Sequence, residues 1–206
     1  MAKVIKFEQA TPEKFGPQRV RKRKRLDLEK LGQLNLFSAG RVISLQPLSA
    51  FEEALVADEQ GDNTRAKLIY LKAIDANDST ADAYCNLGII EFKERNYPKA
   101  IDCFTRCLRE EPRHLEAHYN LANLYSDAGN YALAKLHYQT AIEIAPDFPN
   151  SYFNMGLNLA MNSDFSEAIT ALIQYRVLTA PDNHQQADEL IQKFRQLSEQ
   201  PNRDLK

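Results

Sequence analysis

The chain has 206 residues, of which 44% are hydrophobic, and a formal net charge of −2 at pH 7. No stretch approaches the roughly 18 uninterrupted apolar residues of a membrane-spanning helix, and the first thirty residues lack the apolar segment of a secretory signal. With no Trp and few runs rich in Val and Ile, the composition predicts an all-α protein with a buried core. A cytoplasmic location is expected, or a nuclear one if the source cell has a nucleus.

The small net charge is the sum of two parts of opposite sign. Residues 1–47 carry a net charge of +7, whereas residues 48–206 carry −9. Within residues 1–25, a region containing Pro12, Gly16 and Pro17 comes before a cluster of cations, and we expect this leader to be disordered when unbound. The cations are Arg19, Arg21, Lys22, Arg23, Lys24 and Arg25.

Several roles are open for this basic leader. It could contact nucleic-acid phosphates, act as a nuclear import signal or touch anionic lipid. It could also fold against the acidic part of its own molecule or of a neighbour, or simply aid solubility. No aromatic residues alternate with the cations to stack on bases, so sequence-specific nucleic-acid recognition is not expected. Residues 26–46 are predicted to be a short helix or an extended connector.

The most informative pattern is a period of 34 residues. Asn86-Leu87-Gly88, Asn120-Leu121-Ala122 and Asn154-Met155-Gly156 recur at this spacing. So do the alanines and large side chains at a second pair of positions, namely Ala66, Ala100, Ala134 and Ala168 with Tyr70, Phe104, Tyr138 and Leu172. A fixed period in this range is typical of stacked helical hairpins.

Turn residues separate the two helices that each period predicts. They are Gly61-Asp62, Arg95-Asn96, Gly129-Asn130 and Ser163-Asp164. On either side, apolar residues at i, i+3 and i+4 predict one buried stripe per helix. Gly88 and Gly156 fall inside predicted helices, where glycine costs about 1 kcal/mol relative to alanine. We therefore expect a close helix contact at both positions.

These residues resemble the tetratricopeptide repeat (TPR), whose pattern residues 115–148 match best, at Leu121-Ala122, Tyr125, Gly129, Tyr131, Ala134, Tyr138, Ala141 and Pro146. The resemblance implies a right-handed superhelical solenoid of antiparallel hairpins over residues 47–181. Its four units would be residues 47–80, 81–114, 115–148 and 149–181. The first departs most from the repeat, with Glu53 in place of leucine and Asn63 in place of an aromatic residue.

Residues 182–199 are predicted to form a capping helix on the last hairpin, followed by a tail at residues 200–206. Ala187, Leu190, Ile191, Phe194 and Leu197 lie on one face at helical spacing. The large Tyr175, at a position where the repeat has a small residue, fits a hairpin shaped to meet such a cap. A dimerisation helix is the alternative.

No combination of residues indicates an enzyme, a cofactor or a metal site. Cys85, Cys103 and Cys107 have no paired Cys-x-x-Cys spacing, and His118 stands where the repeat has an aromatic residue. The scattered glycines form no phosphate-binding loop. We expect reduced structural thiols and no catalysis.

A candidate binding surface lies on the first helix of each hairpin, which in the repeat lines the concave groove. The expected groove residues are Asn86, Asn120, Asn123, Asn154, Tyr119, Phe153 and Phe92. An asparagine amide both donates and accepts, so a column of them can pair with the backbone of an extended peptide. The column resembles the asparagine ladder of O-linked N-acetylglucosamine transferases. The alternative is that these asparagines bond only to nearby backbone or water.

The sequence thus predicts a non-catalytic scaffold that binds an extended peptide or helix, neutral to basic because the array is acidic. The alternative is a nucleic-acid-associated or regulatory factor, in which the basic leader contacts phosphates and the array recruits protein partners. The clamp by which some TPR proteins hold chaperone tails needs basic residues, but Phe51, Leu55, Glu116 and Asn120 stand at those places. Chaperone tails are therefore disfavoured.

Overall fold

The computed structural model describes residues 13–20 and 48–199, and this part of the chain contains nine α-helices and no strands. The helices are α1 (Ala50–Glu59), α2 (Asn63–Asp75), α3 (Thr80–Lys93), α4 (Tyr97–Glu110), α5 (Leu115–Asp127), α6 (Tyr131–Ile144), α7 (Pro149–Met161), α8 (Phe165–Leu178) and α9 (Gln185–Glu199). The predicted all-α fold of adjacent helix pairs is confirmed. The predicted connector 26–46 and the tail 200–206 lie outside the described residues. Among the described helices, none is long and apolar enough to cross a membrane.

Two compact units make up the chain. The first unit, residues 19–111, contains the hairpins α1–α2 and α3–α4. Phe51 and Tyr70 fill the core of its first hairpin, with ring centroids 5.9 Å apart. The Asp78 carboxylate accepts the Phe51 N–H at 2.8 Å, which satisfies one of the backbone donors in the first turn of α1.

The second unit, residues 1–18 and 112–206, contains the hairpins α5–α6 and α7–α8 together with α9. The apolar face of α9 packs against α8, and the Phe194 ring lies 5.9 Å from that of Phe165. Tyr175 of α8 is buried in the same cluster. The predicted capping helix is therefore present, beginning at Gln185 after a short 3-10 turn.

The predicted turns have left-handed backbone at one shared position. Gly61, Arg95, Gly129 and Ser163 have φ angles of 78°, 60°, 76° and 67°. The next residue in each turn donates its N–H to the carbonyl five residues earlier, as Asn96 does to Glu91 at 2.8 Å. This pattern satisfies carbonyls at the helix end. It explains why two of the four units use glycine there.

The two predicted close contacts are confirmed. A Cβ at Gly88 would lie 2.7 Å from Cε1 of Phe104, and one at Gly156 would lie 3.0 Å from Cγ of Leu172. Each glycine lets the large residue of the second helix approach the first. The helix-propensity cost of glycine is offset by this packing.

Gly88→Ala is expected to lower the free energy of unfolding by about 1–2 kcal/mol, because overpacking outweighs the gain in helix propensity. Urea unfolding followed by circular dichroism measures the change. As a control, Thr105→Ala on the exposed face of α4 should be neutral or slightly stabilising. A stabilised Gly88→Ala protein would contradict the packing explanation.

Candidate functional site

Residues 13–20 form an extended segment that lies against the helices, and asparagines hold its backbone. In the second unit, Asn154 accepts the Phe15 N–H through Oδ1 and donates to the Phe15 carbonyl through Nδ2, both at 2.9 Å. Asn120 makes the same pair of bonds to Gln18, again at 2.9 Å each. Both asparagine side chains are buried.

The first unit repeats this arrangement once. Asn86 accepts the Val20 N–H at 3.0 Å and donates to the Val20 carbonyl at 3.1 Å. Each asparagine therefore satisfies one residue's donor and acceptor together and leaves that residue's side chain unconstrained. The amide is suited to this because it carries both groups on one rigid plane.

A buried polar network orients Asn154. Its Nδ2 lies 2.8 Å from both the Tyr119 hydroxyl and Asn123 Oδ1, and the Tyr138 hydroxyl donates to Asn123 at 2.6 Å. The Tyr119 hydroxyl in turn donates to the Phe15 carbonyl at 2.9 Å. Burial raises the pKa of both tyrosines, so they stay neutral donors. Asn123 thus supports the site from beneath.

Side-chain pockets flank the backbone contacts in the second unit. Lys14 Nζ lies 2.6 Å from Ser126 Oγ and 3.0 Å from Asp127 Oδ1 at the end of α5. The Phe15 ring packs edge-on against Phe153, with centroids 5.0 Å apart, and near Tyr175 at 5.9 Å. We call Tyr119, Asn120, Ser126, Asp127, Phe153 and Asn154 the segment-binding surface.

A cavity of about 510 Å³ lies beside the start of the segment. Lys14 and Asp127 form part of its wall, and its apolar lining comes from Leu157, Met161 and Phe194. It therefore adds apolar contact area next to the lysine pocket.

In the first unit, Arg19 and Val20 have pockets of their own. The Arg19 guanidinium lies 2.6 Å from the Asp58 carboxylate, whose side chain is 1% exposed, and Val20 is 2% exposed. Burial raises the pKa of Asp58 despite the opposing charges of Arg19 and Lys93. Burial and the neighbouring Arg19 lower the pKa of Lys93. Arg19 is therefore paired with a buried carboxylate, while 28% of its own side chain stays exposed.

The other predicted site residues lie elsewhere or outside the described part. The Phe92 ring packs on Tyr97, with centroids 5.9 Å apart, at the turn between α3 and α4. The three cysteines, Cys85, Cys103 and Cys107, are buried. The remaining leader cations, Arg21, Lys22, Arg23, Lys24 and Arg25, lie outside the described residues.

Sequence reasoning predicted Tyr119 and Phe153 but missed the polar side chains that hold Lys14 and Arg19. Asp58, Ser126 and Asp127 lie at the C-terminal ends of α1 and α5, where the repeat pattern assigns no function. A weak signal existed in Phe15, an aromatic residue next to Lys14 and close to Gly16-Pro17. A hydrophobic side chain in a polar extended stretch is typical of a segment that binds a surface.

Two histidines share a hydrogen bond between α5 and α6. His118 Nε2 lies 3.1 Å from the Pro112 carbonyl, and its Nδ1 lies 3.0 Å from His137 Nδ1. Neutral rings satisfy both contacts if His118 donates from Nε2 and accepts at Nδ1. Burial lowers the pKa of both, and the charge of His118 helps to bring the pKa of His137 to about 4.

Stability is expected to fall as pH drops from about 6.5 to about 4. The lowered pKa of His137 means that the unfolded chain takes up its proton first, so this contribution is complete above pH 6.5 and is lost below it. Allowing for partial exposure, the loss is about 1–2 kcal/mol. Thermal unfolding of the native protein and of His137→Gln at several pH values isolates the contribution of His137 to stability. Parallel stability curves would contradict the assignment.

The family comparisons identify the repeat. Models of the tetratricopeptide repeat match residues 79–147 and, in a second case, residues 51–106 and 119–183. General transcription factor 3C polypeptide 3 of Homo sapiens is 21% identical over 132 residues, which are 64% of this chain and 15% of that protein. Protein O-mannosyl-transferase TMTC3 of Homo sapiens is 36% identical over 103 residues, 48% of this chain and 11% of that protein. The chain therefore spans only a small part of these relatives.

Solved structures agree on the fold. YrrB, described as a TPR protein with an unusual peptide-binding site, has a TM-score of 0.63 at 22% identity, covering 76% of this chain and 79% of its own. The first TPR of Spaghetti (RPAP3) bound to the HSP90 peptide SRMEEVD has a TM-score of 0.54 at 22% identity, covering 58% and 93%. The helix pairs, the 34-residue period and these matches lead to one conclusion: the chain belongs to the tetratricopeptide repeat family.

Proposed function

We propose that this protein is a non-catalytic scaffold whose asparagines bind the backbone of an extended peptide from a partner protein. The observation that carries the proposal is the two-way pairing of Asn154 with Phe15, at 2.9 Å in both directions. Because this pairing reads backbone and not side chains, it suits any extended chain that carries an N–H and a carbonyl at that place.

The surrounding surface supports such a ligand. Tyr119 and Phe153 are fully buried when residues 13–18 lie over them, so apolar burial accompanies the backbone bonds. The Asp127 carboxylate and the net charge of −9 over residues 48–206 favour a neutral to basic partner. The two solved TPR proteins named for a bound peptide or a peptide-binding site are consistent with this class of ligand.

The contacts of Arg19 give little support to the alternative in which the basic leader binds nucleic acid. A cation whose guanidinium lies 2.6 Å from a buried carboxylate is not free to bind phosphate. We therefore do not extend the proposal to nucleic acid, and a cytoplasmic location stays a prediction.

Selection from a library of random displayed dodecapeptides tests the proposal, with the full chain immobilised. Because residues 13–18 already occupy this surface, the native protein is expected to enrich only peptides that bind tightly enough to displace them. This enrichment is expected to be lost for Asn120→Ala. The matched control is Asn162→Ala, which removes an exposed asparagine at the end of α7 and should enrich the same peptides. Circular dichroism confirms that both variants keep their helices.

Equal enrichment by Asn120→Ala and the native protein would refute the assignment of the asparagines. If Asn120→Ala loses helicity, the variant Asn86→Ala in the first unit gives an independent reading. Its loss of enrichment would support the proposal, and unchanged enrichment would count against it.

A further inference from the structure

The native chain already places a ligand on its own segment-binding surface. Residues 13–18 make the backbone bonds to Asn154 and Asn120 that an external peptide would need. An external ligand cannot use the same amide atoms at the same time. Any partner of this surface must therefore displace the segment.

The pockets that hold the segment also specify side chains. A cation is favoured at the Lys14 position, where Ser126 Oγ and the Asp127 carboxylate lie within 3.0 Å of Nζ. An aromatic ring is favoured at the next position, where Phe153 and Tyr175 provide edge and tilted ring contacts. These two adjacent residues carry most of the side-chain contacts of residues 13–18.

The next two positions of the segment, Gly16 and Pro17, place fewer requirements on the side chains of a ligand. A Cβ at Gly16 would have no heavy atom within 4 Å, so a larger residue fits there. Pro17 has no N–H to donate, and none is required because the asparagines bond to residues 15 and 18. Proline also favours extended backbone at the residue before it. Gln18 is held through its backbone by Asn120.

We propose that the partner of this surface carries an extended segment with an adjacent cation and aromatic residue, Lys-Phe or Arg-Phe, and that it binds by displacing Lys14 and Phe15 of the same chain. This inference rests on the proposed function and adds the ligand's sequence and its regulation. A segment joined to the same chain competes at an effective concentration on the order of 1 mM. The native protein is therefore autoinhibited towards weak ligands.

Fluorescence anisotropy with a labelled peptide of residues 13–20 tests the proposal on the full chain. The double variant Lys14→Ala/Phe15→Ala weakens the internal segment, so it is expected to bind the labelled peptide about tenfold more tightly than the native protein or better. Gly16→Ala is the matched control within the segment and should bind like the native protein. A labelled peptide of the same composition in reversed order should bind neither protein.

The outcomes separate the two proposals. The proposed function itself fails if the labelled peptide does not bind the double variant. It also fails if the peptide still binds after Asn120→Ala is added to that variant. If asparagine-dependent binding occurs but is equal for the native protein and the double variant, only the displacement proposal is overturned. Binding of the reversed peptide would overturn the requirement for Lys-Phe.

Sedimentation equilibrium distinguishes the source of the segment. A monomeric native protein is expected. A dimer that the double variant converts to a monomer would mean that a second copy supplies residues 13–18, and it would overturn autoinhibition within one chain.

Discussion

Replacing Asn154 with alanine is expected to lower the free energy of unfolding by about 2–4 kcal/mol. The change removes a buried amide that contacts the Phe15 backbone, the Tyr119 hydroxyl and Asn123 at 2.8–2.9 Å. Leaving buried donors and acceptors without partners costs about 1–3 kcal/mol for each group, and a connected network loses more than one bond. Chemical denaturation measures this loss.

Amide hydrogen exchange provides a second measurement on the same variant. The Phe15 N–H, which donates to Asn154, should exchange faster in Asn154→Ala because residues 13–18 lose one of the two asparagines that bind their backbone. The Gln18 N–H should keep part of its protection through Asn120.

Two further variants sharpen the test. Asn154→Asp keeps the shape and the acceptor but replaces the donor with a carboxylate oxygen facing the Phe15 carbonyl, so it should be as damaging at pH 7 as the alanine. Asn162→Ala, exposed in the same hairpin, should cost less than about 0.5 kcal/mol. A loss of that same small size for Asn154→Ala would show that the asparagine does not hold the segment.

Arg19→Ala is expected to destabilise the protein by about 2–3 kcal/mol at pH 7. Removing one member of a buried ion pair leaves an uncompensated charge, which costs about 3–5 kcal/mol when both members are buried. Here Asp58 is buried but the Arg19 side chain is 28% exposed, and Lys93 offers partial compensation. The expected loss is therefore smaller than the full range.

The loss should shrink as pH falls. Burial already raises the pKa of Asp58, and removing Arg19 takes away the largest opposing charge, so its pKa rises further. Protonation then removes the unpaired charge, and the difference between variant and native protein narrows below the raised pKa. Denaturation at several pH values measures this, with Lys93, Tyr70 and Glu59 as the other groups facing the carboxyl.

A double-mutant cycle isolates the ion pair. Adding Arg19→Ala to Asp58→Asn should cost much less than adding it to the native protein, because no charge is left unpaired. An exposed pair provides the comparison: Arg106→Ala, which breaks the contact with Asp102 at 2.8 Å on α4, should cost about 0.3–0.5 kcal/mol. If Arg19→Ala costs no more than Arg106→Ala at every pH, Arg19 does not anchor the leader.

The hairpins could be predicted because their causes are local. Gly61 and Gly129 permit left-handed turns, and apolar residues at helical spacing define the buried stripes on both sides. Positions 88 and 156 are occupied by Gly88 and Gly156 because the large side chain of the neighbouring helix leaves no room for a Cβ. These features repeat every 34 residues, so the assignment made for one unit predicts the structure of the others.

The candidate site could be predicted only in part from such local patterns. Asn86, Asn120 and Asn154 could be selected because a polar residue recurring at one register position, beside buried ones, needs a partner. Nothing in the period indicated that residues 13–20 would be that partner. The leader, residues 1–25, was expected to be disordered when unbound, and this stays a prediction. Within its described part, residues 13–20, Lys14, Phe15 and Arg19 each have a pocket.

The amino-acid sequence alone therefore determined the helices, their turns and the asparagine positions, since each depends on residues within one repeat. The pairing of Asn154 with Phe15 joins residues 139 positions apart, and that of Asn86 with Val20 joins residues 66 apart. No periodicity encodes a contact between a repeat and a non-repeating segment. Such contacts depend on shape, charge and satisfied backbone groups together, so they were established only when the folded chain brought these residues into contact.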